Sequence, residues 1–566
     1  MASDKLRGIL LSDFNIQNLA GYLNNYPELP HVEAKTATFG QVIPLLVNSE
    51  DKLWQNSFDF AVIWTRPESA VPSFQKVLNF ESIDIEKILS EVDEYTVLLK
   101  NIKTRVKTVL IPSWVYPTYH RGWGILETKT GFGIINILMQ MNLRLSQNLA
   151  DLSHYFVLNT QKWIELSGKT AFNPKMYYMG KIAVGNPVFV EAMKDIKAAL
   201  LTVLGQSKKL ILLDLDDTLW GGIVGDLGWE NIRLGGHDPI GEAFADFQKA
   251  LKTFTNRGIL LGIVSKNEED IAIEAIDKHP EMVLRQNDFV GWRINWQDKA
   301  QNIVDLVRDL NLGLQSVVFI DDNPVERARV REALPEVFVP EWPSDKMLYK
   351  SALLSLNCFD TLSISVEDLA RSKMYVSEQK RKNLKEKISS LDDWLLTLEM
   401  KVKLSEFNIA DLPRTAQLLN KTNQMNLSTR RMTEKELTGW AEQENHKLWT
   451  FRVSDKFGDS GLTGIVSLEI KNNQGRIVDF ILSCRVMGRK VEETMLYTVI
   501  DYARSMDLEK VYAKYLPTPK NNPCLKFFKN SGFKVSGGKI FTWYVNEPYQ
   551  LPPHIKLIKN SGVIHA

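Results

Sequence analysis

The chain has 566 residues, of which 44% are apolar and 24% charged, with a net charge of +1 and three cysteines. That length holds about three or four domains, and the near-neutral balance excludes a general nucleic-acid binder, which needs concentrated basic surface. No apolar run is long enough for a membrane span, and Met1-Ala-Ser-Asp-Lys-Leu-Arg lacks the apolar core of a signal peptide. Cys358, Cys484 and Cys524 form neither a metal-ligand spacing nor a disulfide framework. A reducing, cytoplasmic compartment is the expectation.

Residues 1–206 alternate apolar strands with helical patterns. Gly8-Ile-Leu-Leu-Ser12, Asp59-Phe-Ala-Val-Ile-Trp64 and Thr108-Val-Leu-Ile-Pro112 read as strands, and Asn136 to Leu149 as a helix. That alternation predicts an α/β domain. Ser12 follows a strand, where a nucleophile can sit; Ser12 and Asn15 equally suit a helix cap. His120 and His154 are the candidate partners for Ser12, though lone histidines are weak evidence.

Residues 207–346 carry the densest chemistry. Leu210-Ile-Leu-Leu runs straight into Asp214-Leu-Asp216-Asp217-Thr218-Leu-Trp-Gly-Gly222. A short apolar run ending in polar residues and glycines reads as a buried parallel strand with ligands at its C-terminal end. Side chains alternate along a strand, so Asp214 and Asp216 share a face if the extended geometry persists. Carboxylates that close repel unless a cation joins them, and hard oxygen ligands suit Mg²⁺. A helix is expected around Gly241 to Asn256, and another over Glu268 to Lys278. A second strand, Ile259-Leu-Leu-Gly-Ile-Val264, ends in Ser265-Lys266-Asn267. Asp298-Lys299 opens a further helix, and a third strand, Ser316-Val-Val-Phe-Ile320, ends in Asp321-Asp322-Asn323-Pro324.

Residues 347–400 read as a helical connector. Ser365 to Tyr375 and the charge-rich stretch through Lys387 suit a solvated helix. Residues 401–566 read as strands Lys401-Val-Lys-Leu404, Leu448 to Val453, and Leu462 to Ile470 paired in a hairpin with Arg476 to Ser483. The last of these opens through Cys484-Arg485-Val-Met-Gly488-Arg489-Lys490 into a helix from Glu492 to Arg504.

Three strands ending in Asp214/Asp216/Thr218, Ser265 and Asp321/Asp322, with Lys299 between the last two, resemble the haloacid dehalogenase (HAD) superfamily of phosphotransferases. The resemblance implies that Asp214 is the nucleophile and Asp216 the acid and then the base. It implies that Thr218 steadies the loop, Ser265 binds phosphoryl oxygens and Lys299 neutralises charge. Asp214, Asp216 and Asp321 would serve the Mg²⁺ site, with Asp322 at the metal or beside it. The short stretch from Thr218 to Ser265 leaves little room for a large cap domain and implies a site open to large substrates.

The C-terminal region resembles the GNAT acyltransferase fold, in which a strand opens into a helix whose N-terminal amides hold the pyrophosphate of coenzyme A. Arg485 and Gly488 fit its pattern, and Arg489 lies in the same loop. Lys490 takes the place of its final Gly or Ala, and Phe528 stands where many members carry a tyrosine. A phosphopantetheine arm, coenzyme A or a purely structural role all stay open there.

Taken together the chain resembles the FkbH-like family, HAD subfamily IIIC. That implies a multidomain α/β protein with a Rossmann-like HAD core between an SGNH-like α/β domain and a GNAT-like α+β domain. Its most specific phrases are Asp214-Leu-Asp-Asp-Thr-Leu-Trp-Gly-Gly222, Phe319-Ile-Asp-Asp-Asn-Pro-Val-Glu-Arg327, Lys421-Thr-Asn-Gln-Met-Asn-Leu427 and Ser483-Cys-Arg-Val-Met-Gly-Arg489. The family implies removal of phosphate from 1,3-bisphosphoglycerate and delivery of a glyceryl group to the phosphopantetheine thiol of an acyl carrier protein. Cys484, beside Arg485 and Lys490, is the candidate acyl-holding thiol; a packing cysteine and direct transfer to the carrier are the alternatives. A plain Mg²⁺-dependent phosphatase on a sugar phosphate or other small precursor, and a carrier-docking scaffold, are the other functional readings.

Overall fold

The computed structural model describes residues 5–152, 154–236, 238–310, 312–361, 374, 375, 377, 381, 384, 388, 390–422, 424–428, 430–518 and 521–559. The side chains of Lys421 and Cys484 also fall outside the description, as does most of the charged connector stretch expected to be a solvated helix.

Three sheets follow one another along the chain, in a mixed α/β, multidomain architecture. The first contains β1 (Leu6–Ser12), β2 (Val32–Thr36), β3 (Phe58–Trp64), β4 (Val106–Pro112) and β5 (Tyr155–Leu158) in the order β2-β1-β3-β4-β5. All its pairings are parallel. Helices Ile85–Lys100 and Ile134–Leu149 bury Val92, Leu99, Met141 and Leu145 against one face. Helix Asn186–Val203 packs Phe189, Met193 and Ile196 against the other. Burial on both faces explains why the central strands are almost continuously apolar.

The second sheet contains β6 (Leu210–Leu213), β7 (Leu260–Ser265), β8 (Phe289–Ile294) and β9 (Val317–Ile320), all parallel, in the order β8-β7-β6-β9. Every residue of β6, β7 and β9 is buried. Ile211 and Leu213 face a core with helix Pro239–Asn256, while Leu210 and Leu212 face helix Lys299–Asp309. Truncating any of these leucines to alanine costs about 2–5 kcal/mol. Helix Tyr349–Leu354 and Phe359, which the sequence places in the connector, pack into the first of these cores.

The third sheet has nine strands. They are β10 (Met400–Glu406), β11 (Met425–Asn426), β12 (His446–Asp455), β13 (Gly458–Lys471), β14 (Gln474–Leu482), β15 (Lys510–Lys514), β16 (Lys534–Ser536), β17 (Ile540–Tyr544) and β18 (Ile555–Lys559). The order is β16-β17-β15-β14-β13-β12-β10-β18, with β11 added on β14. The expected β13–β14 hairpin is present and antiparallel. Helix Val491–Ser505 covers the sheet through Met495, Leu496 and Val499.

Candidate active site

The site is built at the C-terminal edge of the second sheet, where β6, β7 and β9 stop and polar loops begin. Asp214 follows β6, its amide donating to the Ile320 carbonyl of β9. The next turn is tight. Asp217 adopts φ +54, a left-handed conformation that Asp tolerates better than most residues. Gly222 sits at φ +95, and a Cβ there would come within 2.5 Å of Leu227.

Lys299 reaches the same edge because Asp298 caps its helix, accepting from Ala300 N at 2.8 Å and Gln301 N at 3.2 Å. Such a cap is worth about 1 kcal/mol and sets Lys299 as the first helical residue. Its ammonium lies 3.0 Å from Asp214 Oδ1 and 2.6 Å from Asp321 Oδ2, with all three groups buried. Burial alone would lower the Lys299 pKa; the two carboxylates more than offset it and hold the lysine charged. Burial and the Asp214 charge push the Asp321 carboxyl up, against the pull of Lys299.

One carboxylate oxygen from each of Asp214, Asp321 and Asp322 lies within 4.8 Å of the others. An all-oxygen, all-carboxylate set suits a hard divalent cation. Thr218, fully buried, joins the two loops: its hydroxyl accepts from Asp322 N at 3.1 Å and donates to Asp322 Oδ1 at 3.5 Å. Arg327 reaches back from helix Pro324–Ala333 and donates to the carbonyls of Asp321 and Asp322, each at 2.7 Å.

The Asp216 carboxylate stands outside that triad. Its Oδ1 accepts from Trp220 Nε1 at 2.9 Å and Val224 N at 3.1 Å, and its Oδ2 from Asn267 Nδ2 at 2.9 Å. Sequence alternation places Asp216 with Asp214 at the metal, but the regular strand ends at Leu213, and Trp220, Val224 and Asn267 hold the Asp216 carboxylate away from the triad. Burial raises its pKa; the Val224 and Trp220 hydrogen bonds oppose the rise, and the charges of Asp214 and Asp217 add to it. A carboxyl that holds its proton more tightly than usual, beside a metal cluster, is suited to donate it. Ser265 ends β7 at the same edge and is buried.

Four further residues complete the site without a sequence signal of their own role. Asn267 and Trp220 hold Asp216. Lys346 Nζ donates to the Asp217 carbonyl at 2.8 Å and to Asp322 Oδ2 at 3.3 Å, and Tyr349 Oη donates to the same carbonyl at 3.3 Å. Asn267 and Trp220 adjoin the motifs in sequence; Lys346 and Tyr349 arrive only through the packing of helix Tyr349–Leu354.

The other candidates lie elsewhere. Ser12 Oγ accepts from Phe14 N at 3.1 Å, and neither His120 nor His154 has a hydrogen bond to Ser12 among the described residues. Asp13, next in the chain, is engaged by Arg66 Nε at 2.8 Å and Ser69 Oγ at 2.5 Å. In the third sheet, Arg485 Nη1 points at Met374 Sδ, 2.9 Å away. Arg489 is buried, donating to the Arg485 carbonyl at 2.6 Å, with Asp455 3.6 Å away. Gly488 N donates to Glu492 Oε1 at 2.8 Å. The backbone of Cys484 lies in the turn Cys484–Val486, and its thiol is outside the described residues. Burial pushes the Cys358 thiol up to about 12 and raises that of Cys524 further, so neither is an activated nucleophile.

No family model matches the chain, and no curated protein matches it. Among solved structures the chain is similar to the N-terminal part of the protein BF1531 from Bacteroides fragilis, which contains a phosphatase domain and is complexed with Mg. The identity is 31%, over 63% of this chain and 95% of that one, with a TM-score of 0.56. Two acetyltransferases align over shorter stretches. The ribosomal-protein-S18-alanine N-acetyltransferase from Escherichia coli does so at 9% identity over 25% of this chain and 94% of its own, TM-score 0.20. The spermidine N-acetyltransferase from Vibrio cholerae, in complex with CoA and spermine, does so at 18% identity over 26% and 96%, TM-score 0.21. Among the described residues, no helix is long and apolar enough to cross a membrane. At the identity and coverage of the BF1531 match, the chain belongs to the HAD-like phosphatase-domain proteins that BF1531 represents.

Proposed function

We propose that the chain is a Mg²⁺-dependent HAD-type phosphatase and glyceryl transferase. In this reading it takes a phosphoglyceryl substrate such as 1,3-bisphosphoglycerate: the phosphopantetheine thiolate of an acyl carrier protein attacks the acyl carbon and expels the acyl phosphate, and the ester phosphate is the one hydrolysed at the aspartate site. The observation that carries the phosphatase half is the convergence of Asp214, Asp321 and Asp322 around one point with Lys299 bound to two of them.

Asp214, Asp321 and Asp322 would hold Mg²⁺, which supplies charge neutralisation for a phosphate approaching three carboxylates. An Asp214 oxygen attacks phosphorus as the bond from phosphorus to the leaving oxygen breaks. Asp216 gives that oxygen its proton, then removes a proton from the water that hydrolyses the aspartyl phosphate, releasing inorganic phosphate. Lys299 stays charged throughout and offsets the negative charge that Asp214 shares with the phosphoryl oxygens. Ser265 and Thr218 keep the roles of phosphoryl donor and loop brace.

The carrier half of the reading is supported by the FkbH-like phrases of the sequence and by the short span between Thr218 and Ser265, which holds one long helix. With Cys524 buried, Cys358 half-buried and both thiols pushed up in pKa by desolvation, direct transfer to the carrier thiol is preferred over an enzyme thioester, with Cys484 as the one remaining acyl holder. A plain phosphatase, which also needs no acyl-holding thiol, is the second reading. Intact-mass spectrometry separates them. The protein is incubated with Mg²⁺, 1,3-bisphosphoglycerate generated in place and a phosphopantetheinylated carrier of known competence. A glyceryl adduct on the carrier is expected; phosphate release with no adduct selects the plain phosphatase, and an adduct on the enzyme selects Cys484.

A further inference from the structure

The turn between β14 and helix Val491–Ser505 has the shape of an anion cradle. Gly488 at φ +72 and Lys490 at φ +66 are left-handed on either side of Arg489, and such alternation turns successive backbone N–H groups inward. At the start of a helix that is where a phosphate or pyrophosphate binds. The cradle already has a guest: Gly488 N donates to Glu492 Oε1 at 2.8 Å. Glu492 is 4% exposed, and its Oε2 has no hydrogen-bond partner among the described residues. A buried carboxylate thus fills the anion position from inside the protein.

The adjoining strand edge is filled as well. β14 pairs in parallel with β15 only from Gln474↔Lys510 to Ile477↔Ala513. Beyond that the two strands part, and the freed edge of β14 is the kind of open strand edge onto which an extended amide-bearing arm can add its own hydrogen bonds. Here β11 occupies it, with Met425 paired to Leu482 and Asn426 to Ile481. Leu427 N donates to the Phe480 carbonyl at 3.2 Å, and the Leu427 carbonyl accepts from Leu516 N, just past β15, at 3.0 Å. Asn521 Nδ2, fully buried, locks the Asn426 carbonyl at 3.0 Å.

We infer that the C-terminal sheet is closed to coenzyme A and to a phosphopantetheine arm, because Glu492 occupies the anion cradle and Met425–Leu427 occupy the strand gap. A pyrophosphate would have to displace a buried carboxylate from a donor it cannot replace. A pantetheine arm would have to break the β11 ladder and the Asn521 lock together. The two seals are separate contacts, one at the helix start after β14 and one on the end of β14 itself, so opening one leaves the other in place. Residues 485–490 then serve as a structural turn, which speaks against Cys484 as an acyl holder and leaves direct transfer at the edge of the second sheet. The inference stands on these contacts whether or not the phosphatase reading holds.

The test is titration calorimetry of the full-length protein with coenzyme A and with acetyl-coenzyme A, alongside amide hydrogen exchange. The expected result is no saturable binding tighter than about 1 mM, with the amides of Leu427, Gly488 and Leu516 protected and unchanged by either ligand. Glu492→Ala, which empties only the cradle, is expected to leave coenzyme A unbound because β11 still fills the gap. Micromolar binding by the unaltered protein overturns the inference. So does exchange of those three amides at the rate of the exposed loops.

Discussion

Lys299 and Asp321 form a fully buried ion pair at 2.6 Å, and the same ammonium lies 3.0 Å from Asp214. Two carboxylates that would repel each other out of water are held together by one lysine at the first position of its helix. The pair therefore has a structural and a chemical consequence. In the absence of Mg²⁺, Lys299→Met leaves both carboxylates buried without a cation, and breaking a buried pair in this way costs about 3–5 kcal/mol. Phosphate release is expected to fall by about two to three powers of ten. Urea unfolding and a phosphate assay on the same preparation check both; unchanged stability would remove Lys299 from its place between the two aspartates.

Asp216 is oriented by three donors, and the side-chain amide of Asn267 is one that substitution can remove without touching the turn itself. Asn267→Ala is expected to lower kcat about ten- to a hundredfold with KM little changed, since it disturbs the proton donor and not the phosphate seat. A change in KM alone would assign Asn267 to substrate binding.

Lys346 links the catalytic turn at the Asp217 carbonyl to Asp322 of the metal cluster. Lys346→Met is expected to reduce kcat/KM about tenfold, a loss of about 1.4 kcal/mol, and Lys346→Arg to restore part of it. Steady-state kinetics at saturating Mg²⁺ provides the comparison; full activity in Lys346→Met would show that Tyr349 alone secures the turn.

Glu492 supplies a pH dependence outside the phosphatase site. Burial pushes its carboxyl up to about 7 from an ordinary 4.5. Between those values the folded protein keeps a proton that the unfolded chain has released, so stability is highest at the acid end and is lost as pH rises through about 7. The loss is on the order of 3 kcal/mol. Urea midpoints for the unaltered protein and Glu492→Gln are expected to diverge across that window, the variant changing less; parallel profiles would contradict the burial of a titrating carboxyl.

The legible parts of the fold are those where both faces of a strand are buried. Leu210–Leu213 and Val317–Ile320 stand out as unbroken apolar runs because helices cover the sheet on both sides. Strands with partly exposed residues do not. β8 carries Trp292 and Arg293 half-buried, and β2 alternates Val32 and Ala34 with exposed Glu33 and Lys35, so neither has the pattern of a core strand. In the site, Asp214, Ser265, Lys299 and Asp321 are legible because each stands directly at a strand end or a helix start. The orientation of Asp216 depends on hydrogen bonds from Trp220, Val224 and Asn267, and Lys346 meets Asp217 across 129 positions of chain; no local pattern encodes either. The closure of the C-terminal slot rests on a two-residue strand, shorter than any periodicity can reveal.

The central claim is that Asp214 is the nucleophile of a Mg²⁺-dependent phosphatase. The most direct measurement is phosphate release by the purified protein and by Asp214→Asn, each with Mg²⁺ and after chelation, using p-nitrophenyl phosphate and acetyl phosphate. The account predicts Mg²⁺-dependent release by the unaltered protein and loss of at least about three powers of ten in the variant, which folds normally because the substitution is nearly isosteric and relieves repulsion with Asp321. Release by Asp214→Asn at the rate of the unaltered protein would contradict it.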